Sequence, residues 1–281
     1  MRIREYRSHF VDTLAPIYDL DEAESFFYLI LEDKKKLKRI DLALNTEATF
    51  SEDEVLQWNE ILEKLKKYIP IQYILGKTHF YGLEFEVNEN VLIPRPETEE
   101  LVDWIISNNS KSANLKVLDI GTGSGCIAIS LAKNLQGAHV SAVDVSEKAL
   151  ATAEKNAQNN QVKVNFIRKD ILKTEDLEQQ FDIIVSNPPY VRNLEKEEIK
   201  QNVLDHEPHL ALFVDDQNAL IFYQKITELA QKNLSKNGQL YFEINQYLGK
   251  EMMDLLEQKG FQQMELRKDI YGNNRMVFGR K

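Results

Sequence analysis

Apolar positions recur at helical spacing through the first quarter of the chain, in the sets Phe10, Leu14, Ile17, then Phe26, Leu29, Ile30, then Ile61, Leu62, Leu65. That periodicity predicts a small helical bundle from Arg2 to about Tyr68. Ser51 followed three positions later by Glu54 has the form of a capping box opening the last of these helices, with Pro70 as the stop. A domain boundary is expected near Pro70 to Gly76. Past it, Phe80, Leu83, Phe85 and Val87 are interleaved with polar residues and Gly82, which predicts β structure closed by the turn Asn88-Glu89-Asn90.

From Glu97 the pattern changes to short apolar strands separated by amphipathic helical stretches: Lys116 to Ile120, Ala138 to Val143, Val164 to Ile167, Phe181 to Ser186 and Gln239 to Ile244. Such alternation predicts an α/β fold with a mostly parallel sheet covered by helices on both faces. Two further strand-like runs, Gln262 to Leu266 and Arg275 to Phe278, flank the turn-rich Tyr271-Gly272-Asn273-Asn274 and are expected to pair as an antiparallel edge. The expected organisation is a helical domain over residues 1–75, a hairpin linker over 76–95 and an α/β domain over 96–281. No internal repeat or low-complexity stretch interrupts it.

Composition narrows the classes open to this chain. With 281 residues, 35 basic and 45 acidic side chains give a formal charge of −10, which disfavours broad binding to nucleic-acid phosphates. The densest basic cluster, Lys34, Lys35, Lys36, Lys38 and Arg39, reads as a solvated helix face. Near the N-terminus the longest apolar run is only Phe26 to Leu31, and the arginines at positions 2, 4 and 7 lead into no signal-peptide core, so a cytosolic protein is expected. The single cysteine, Cys126, excludes an intramolecular disulfide, and the five histidines form no spaced metal cluster.

Candidate chemistry concentrates where strands end. Asp119-Ile120-Gly121-Thr122-Gly123-Ser124-Gly125 closes an apolar strand with a glycine-rich turn, and a helix is expected from about Cys126. The spacing is G-x-G-x-G, and Cys126 occupies the position where a nicotinamide fingerprint wants a small third residue. Asp119, two residues before the first glycine, suits a ligand with a cationic amino group; the methionine end of S-adenosylmethionine carries both an ammonium and a carboxylate. Gly121, Thr122, Gly123 and Gly125 are the expected cradle. Asp144 ends the next strand, where a carboxylate can take both ribose hydroxyls, although an Asp capping the following helix has the same pattern. Asp170, after the third strand, is placed to meet an adenine amino group or to be a plain loop acid.

Asn187-Pro188-Pro189-Tyr190 directly follows the strand Phe181 to Ser186. Two prolines fix the backbone and remove two donors, which leaves carbonyl oxygens beside an amide and an aromatic ring. A planar nitrogen with two hydrogens fits that set: Asn187 and the Pro188 carbonyl each accept one N–H, and Tyr190 packs on the flat face. Asn187 also adjoins the cofactor side. Together with the glycine loop, the motif resembles amino-methyltransferases, a group that includes adenine-specific nucleic-acid enzymes.

The segments Pro70-Ile71-Gln72-Tyr73-Ile74-Leu75-Gly76, Phe80-Tyr81-Gly82-Leu83 and Leu92-Ile93-Pro94-Arg95-Pro96-Glu97-Thr98-Glu99 resemble the HemK/PrmC family of release-factor glutamine methyltransferases. So do His206-Glu207-Pro208-His209-Leu210-Ala211-Leu212 and Asp269 to Arg275, so that the resemblance spans essentially the whole chain. It implies a Rossmann-like methyltransferase domain, an N-terminal helical domain that docks the protein substrate, and methylation of the glutamine in the Gly-Gly-Gln loop of peptide-chain release factors. Two departures concern loops: Asn245 stands where the family usually has glycine, and Asp215-Asp216 replace a commonly glycine-containing turn. Arg95 and Glu97 are either substrate contacts or hairpin-end stabilisers, and Glu207 has no assigned role. The alternative reading is a nucleic-acid amino-methyltransferase, whose substrate presents a similar planar amino group but calls for a basic face.

Overall fold

Helix α1 (Ile3–Leu14) forms where Ile3, Tyr6, Phe10 and Leu14 share one face, and α2 (Leu20–Lys35) answers it with Ala23, Phe27, Ile30 and Leu31. Asp19 caps α2 by accepting from the Glu22 amide at 2.7 Å. After the short α3 (Arg39–Leu44), α4 (Glu52–Leu65) opens on the expected reciprocal box: the Ser51 hydroxyl accepts from the Glu54 amide at 3.2 Å, and Glu54 accepts from the Ser51 amide at 2.8 Å. Trp58 of α4 is the hub of the core, with Tyr6, Phe10, Phe27 and Phe50 at ring-centroid distances of 4.9 to 6.0 Å. Pro70 is not the stop. Helix α4 ends five residues earlier, where the chain turns through left-handed Tyr68, and Pro70 instead caps a further short helix, α5 (Ile71–Leu75). The basic cluster is largely neutralised in place: Lys35 pairs with Glu54, Lys34 with Asp33, Lys38 with Glu32 and Arg39 with Glu24.

The computed structural model describes residues 1–281, and its contacts divide the chain into two units. One is Met1–Gly76 with Lys200–His206; the other is Lys77–Ile199 with Glu207–Lys281. The second unit begins with the antiparallel hairpin β1 (Lys77–Phe80) and β2 (Leu83–Glu86). It turns at Tyr81 and Gly82, both left-handed as a two-residue hairpin requires, while Asn88-Glu89-Asn90 forms a later turn in which Val91 donates to the Asn88 carbonyl.

Then come α6 (Pro96–Asn109), β3 (Lys116–Ile120), α7 (Cys126–Asn134), β4 (His139–Asp144), α8 (Glu147–Asn159), β5 (Val164–Arg168), β6 (Phe181–Ser186) and β7 (Val191–Arg192). Helix α9 (Gln201–His206) belongs to the first unit; α10 (His209–Leu212), β8 (Phe213–Val214), α11 (Ile221–Asn233), β9 (Leu234–Glu243), α12 (Gly249–Gln258), β10 (Gln262–Lys268) and β11 (Asn274–Arg280) complete the second. Seven strands form one sheet in the order β10-β11-β9-β6-β3-β4-β5, parallel from β9 to β5 and antiparallel at the β11 and β10 edge. Separate apolar cores cover its two faces, one with α6 and α7, the other with α11 and α12.

Strand β3 pairs with β4 on one side and β6 on the other, so the chain order reverses there and a crevice opens beyond the strand ends. Removing the aromatic hub of the first unit gives a direct check on its core. Trp58→Ala is expected to cost about 3–5 kcal/mol in urea denaturation followed by circular dichroism; a change within the surface range of about 0.5 kcal/mol would contradict this packing.

Candidate active site

Immediately after β3, Gly121, Gly123 and Gly125 take φ values of +77°, +55° and +82°. A Cβ on Gly125 would stand 2.9 Å from Ile129 Cδ1 and 3.1 Å from Ala153 Cβ, so conformation and packing both demand glycine there. The Gly121 and Thr122 amides donate to the Val143 carbonyl at 2.8 and 3.1 Å, and the Gly123 amide donates to Asp144 Oδ2 at 2.9 Å. Asp144 Oδ1 accepts from the Ser146 amide at 2.9 Å, while Ser146 itself caps α8. A carboxylate offers about four lone-pair sites, so Asp144 can hold the loop and still accept from a ligand hydroxyl. Beneath the loop, the buried Asn156 donates to the Ser124 and Glu86 carbonyls at 2.9 Å each and accepts from the Glu86 amide at 2.7 Å. It thereby ties the loop to β2.

The crevice is a cavity of about 250 Å³. Gly121, Gly123, Asp144 and Asp170 line it together with Asn187, Pro188 and Pro189, so the candidate cofactor and substrate residues meet in one space. Asp170 also accepts from the Leu172 amide and pairs with Lys173 at 3.0 Å. The segment Glu89 to Leu92 and residues Pro208, Leu210 and Ala211 close another wall. Glu207, almost wholly buried, clamps these pieces: it accepts from Arg95 at 2.6 Å and from the Ile93 amide at 3.1 Å. Arg95 is thus an anchor of the cavity wall.

Asp119, Thr122, Gly125 and Tyr190 do not line the cavity. Asp119 is fully enclosed and accepts from the Thr122 hydroxyl at 2.7 Å, which makes it a brace for the loop and not an exposed anion. Burial pushes its carboxyl up to about 7, against the pull of that hydrogen bond. Tyr190 is held from below by its hydroxyl, which donates to Glu243 Oε1 at 3.2 Å. Burial and the Glu243 carboxylate raise its pKa well above the usual phenol value.

At the end of β6 the Ser186 hydroxyl donates to the Ile120 carbonyl at 2.6 Å, joining the ends of β6 and β3. The next residue, Asn187, turns Nδ2 toward Thr98 Oγ1 at 3.4 Å, and the Thr98 hydroxyl donates to Glu243 Oε2 at 2.6 Å. Glu243 is buried at the end of β9; burial raises its pKa, opposed by Thr98, Arg275 and Tyr190. Arg275 in turn bonds Asp269 at 3.0 Å. Asn245, in place of a glycine, donates to the Tyr190 carbonyl at 3.0 Å and to Glu195 at 2.9 Å, so it stitches the loop after the motif. Asp216 does similar work by accepting from the Leu194 amide at 3.1 Å.

Comparison with known proteins identifies the family of both units. Residues 5–76 match the PrmC N-terminal domain and residues 98–211 the methyltransferase small domain. The release factor glutamine methyltransferase of Flavobacterium psychrophilum is 65% identical over 280 residues, which cover 99% of this chain and 98% of that protein. The one from Bacteroides thetaiotaomicron is 44% identical over 94% of this chain and 95% of its own length. The chain belongs to the release factor glutamine methyltransferase family. Among solved structures, a methyltransferase from Pyrococcus furiosus aligns with a TM-score of 0.51 at 19% identity, covering 83% of this chain and 99% of that one. The Thermus thermophilus 16S rRNA N2 G1207 methyltransferase aligns at 0.53 and 22%, covering 73% and 49%. These two share the fold.

For this methyltransferase, sequence reasoning missed Thr98, Glu243, Asn156 and the Arg95–Glu207 clamp as parts of the site. One signal was present: Glu243 is a charge that directly ends the apolar run Leu240-Tyr241-Phe242, as Asp144 ends Ala142-Val143. The enclosed Asp119 supplies a test. Its folded pKa, about 7 against an ordinary 3.8, means that the folded state keeps the proton longer than the unfolded chain. Its contribution to stability is therefore full below the ordinary value and declines as pH rises toward about 7. The melting temperature of Asp119→Asn relative to the parent is expected to climb across that window, and a difference that stays flat would show that Asp119 titrates normally.

Proposed function

We propose that this protein transfers a methyl group to the side-chain amide nitrogen of the glutamine in the Gly-Gly-Gln loop of peptide-chain release factors. The observation that carries the reading is the meeting, in one cavity, of the glycine loop and Asp144 with Asn187, Pro188 and Pro189. S-adenosylmethionine is the cofactor and supplies the electrophilic methyl. The residues present fit it: bare left-handed glycines admit close approach, Asp144 keeps acceptor sites for ribose hydroxyls, and Val145 and Ile171 give an apolar wall near Asp170. Asp119 supports that cradle from beneath.

An amide nitrogen is a weak nucleophile because its lone pair is shared with the carbonyl, so positioning must supply much of the rate. Asn187 Oδ1 and the Pro188 carbonyl each take one substrate N–H and hold the nitrogen in line for attack; proximity of this kind is worth roughly 7–11 kcal/mol. The same two oxygens stabilise the positive charge that grows on nitrogen. The surplus proton then leaves to water. Pro189 keeps the loop rigid, and Tyr190, anchored on Glu243, sets its far end.

The helical unit, Met1–Gly76, carries no cofactor motif, and we read it as a docking unit whose remote contacts orient the substrate protein. No helix is long and apolar enough to cross a membrane, and a cytosolic location suits a substrate of the translation apparatus.

Incubation with a release factor and S-adenosylmethionine, followed by peptide mass spectrometry, is expected to find one added methyl on the Gly-Gly-Gln glutamine. Asn187→Ala should lower that rate by roughly 10² to 10³ while cofactor affinity holds. Asp144→Ala should do the reverse first, weakening cofactor binding in calorimetry by about 1.5–3 kcal/mol. Methylation of nucleic acid instead, or an Asn187→Ala enzyme as fast as the parent, would overturn the reading.

A further inference from the structure

The acceptor role of Asn187 depends on which end of its amide faces the cavity. Oxygen and nitrogen are nearly the same size, so shape alone does not choose between the two orientations. If Nδ2 faced inward, an N–H would oppose the N–H groups of the incoming glutamine amide, and the clamp would become a repulsion. Something must hold the polarity.

We propose that Glu243 is a positioning residue for methyl transfer, acting through Thr98 to fix the orientation of the Asn187 amide; the proposal rests on the function assigned above. A carboxylate only accepts. The single hydroxyl proton of Thr98 is therefore committed to Glu243 Oε2 at 2.6 Å. Thr98 Oγ1 is left with lone pairs alone toward Asn187, and the Asn187 amide answers with Nδ2 at 3.4 Å. Oδ1 is then free for substrate. The direction of each hydrogen bond in the row is dictated by the buried charge at its end.

Glu243 is well built for that task. Its second carboxylate oxygen accepts from Tyr190 at 3.2 Å and its carbonyl from Tyr223 at 3.2 Å, so it has little freedom to turn. Burial raises the Glu243 pKa, while the Thr98 hydroxyl, Arg275, itself held by Asp269, and the Tyr190 hydroxyl each pull it back toward the ionised form. Thr98 is fixed as well, on the first turn of α6, its amide donating to the Arg95 carbonyl at 3.1 Å. The row joins residues 98, 187 and 243, which touch only in the fold.

The isosteric Glu243→Gln removes the constraint: the end of the row is no longer acceptor-only, and wherever its NH₂ meets Thr98 the hydroxyl proton turns to Asn187 and draws Oδ1 away from the cavity. Single-turnover methylation of a release factor is expected to slow by roughly 10²-fold in Glu243→Gln, with cofactor affinity unchanged. Thr98→Val should slow it similarly, and Thr98→Ser, which keeps the hydroxyl, should restore most of the rate. In an Asn187→Ala background, Glu243→Gln should add no further loss, because the residue through which it acts is gone. A Glu243→Gln enzyme as fast as the parent, a Thr98→Ser no better than Thr98→Val, or full additivity with Asn187→Ala would each overturn the proposal. These results are separable from failure of the methyl-transfer reading, in which Asn187→Ala would itself remain active. Should Glu243→Gln fold poorly, the Thr98 pair decides alone.

Discussion

The parallel register at β3 is the constraint from which the site follows. Ile120 lies opposite Val143 on one side and Ser186 on the other, so the residues that come next, Gly121, Asp144 and Asn187, emerge at one level. A one-residue shift of β3 would turn its side chains to the opposite faces and take Gly121 off the level of Asp144 and Asn187. Two interactions lock the level. The Ser186 hydroxyl ties the end of β6 to the Ile120 carbonyl, and the Val143 carbonyl gathers the amides of Gly121 and Thr122.

Around that row the protein buries acidic side chains, among them Asp119, Glu207 and Glu243, each of which costs desolvation energy and is held by donors. An apolar core would be easier to stabilise. What each carboxylate contributes is direction: Asp119 orients Thr122 within the loop, Glu207 draws Arg95 and the Ile93 amide onto the cavity wall, and Glu243 receives the Thr98 and Tyr190 hydroxyls. A reaction that relies on positioning a poor nucleophile benefits from acceptors that cannot rotate.

The parts of this arrangement that are local in sequence could be read before the fold was seen. Strands β3 and β6 have the expected ends, the Ser51–Glu54 box is formed, and the glycine loop leads into α7 at Cys126. The tail strands pair as an antiparallel edge. Short-range punctuation was harder. Pro70 reads as a helix stop but caps a new helix, because Tyr68 had already broken α4, and the hairpin turns on Tyr81 and Gly82, whose left-handed geometry leaves only a weak trace in composition. Hidden altogether were the pairs whose members lie far apart in the chain, such as Thr98 with Glu243 and Arg95 with Glu207. No periodicity reports such contacts. Asp119 shows the opposite failure, since an acid beside a glycine loop looks available to ligand until burial removes it.

The central claim is that one cavity presents Asn187 Oδ1 and the Pro188 carbonyl as paired acceptors for a glutamine amide. A crystal structure of the protein with S-adenosylhomocysteine and a release-factor domain carrying its Gly-Gly-Gln loop tests it most directly. The account predicts the glutamine nitrogen about 3 Å from both oxygens, within hydrogen-bonding range, with Asn187 Nδ2 still turned toward Thr98. A glutamine amide seated elsewhere, or one meeting Nδ2 of Asn187, would contradict it.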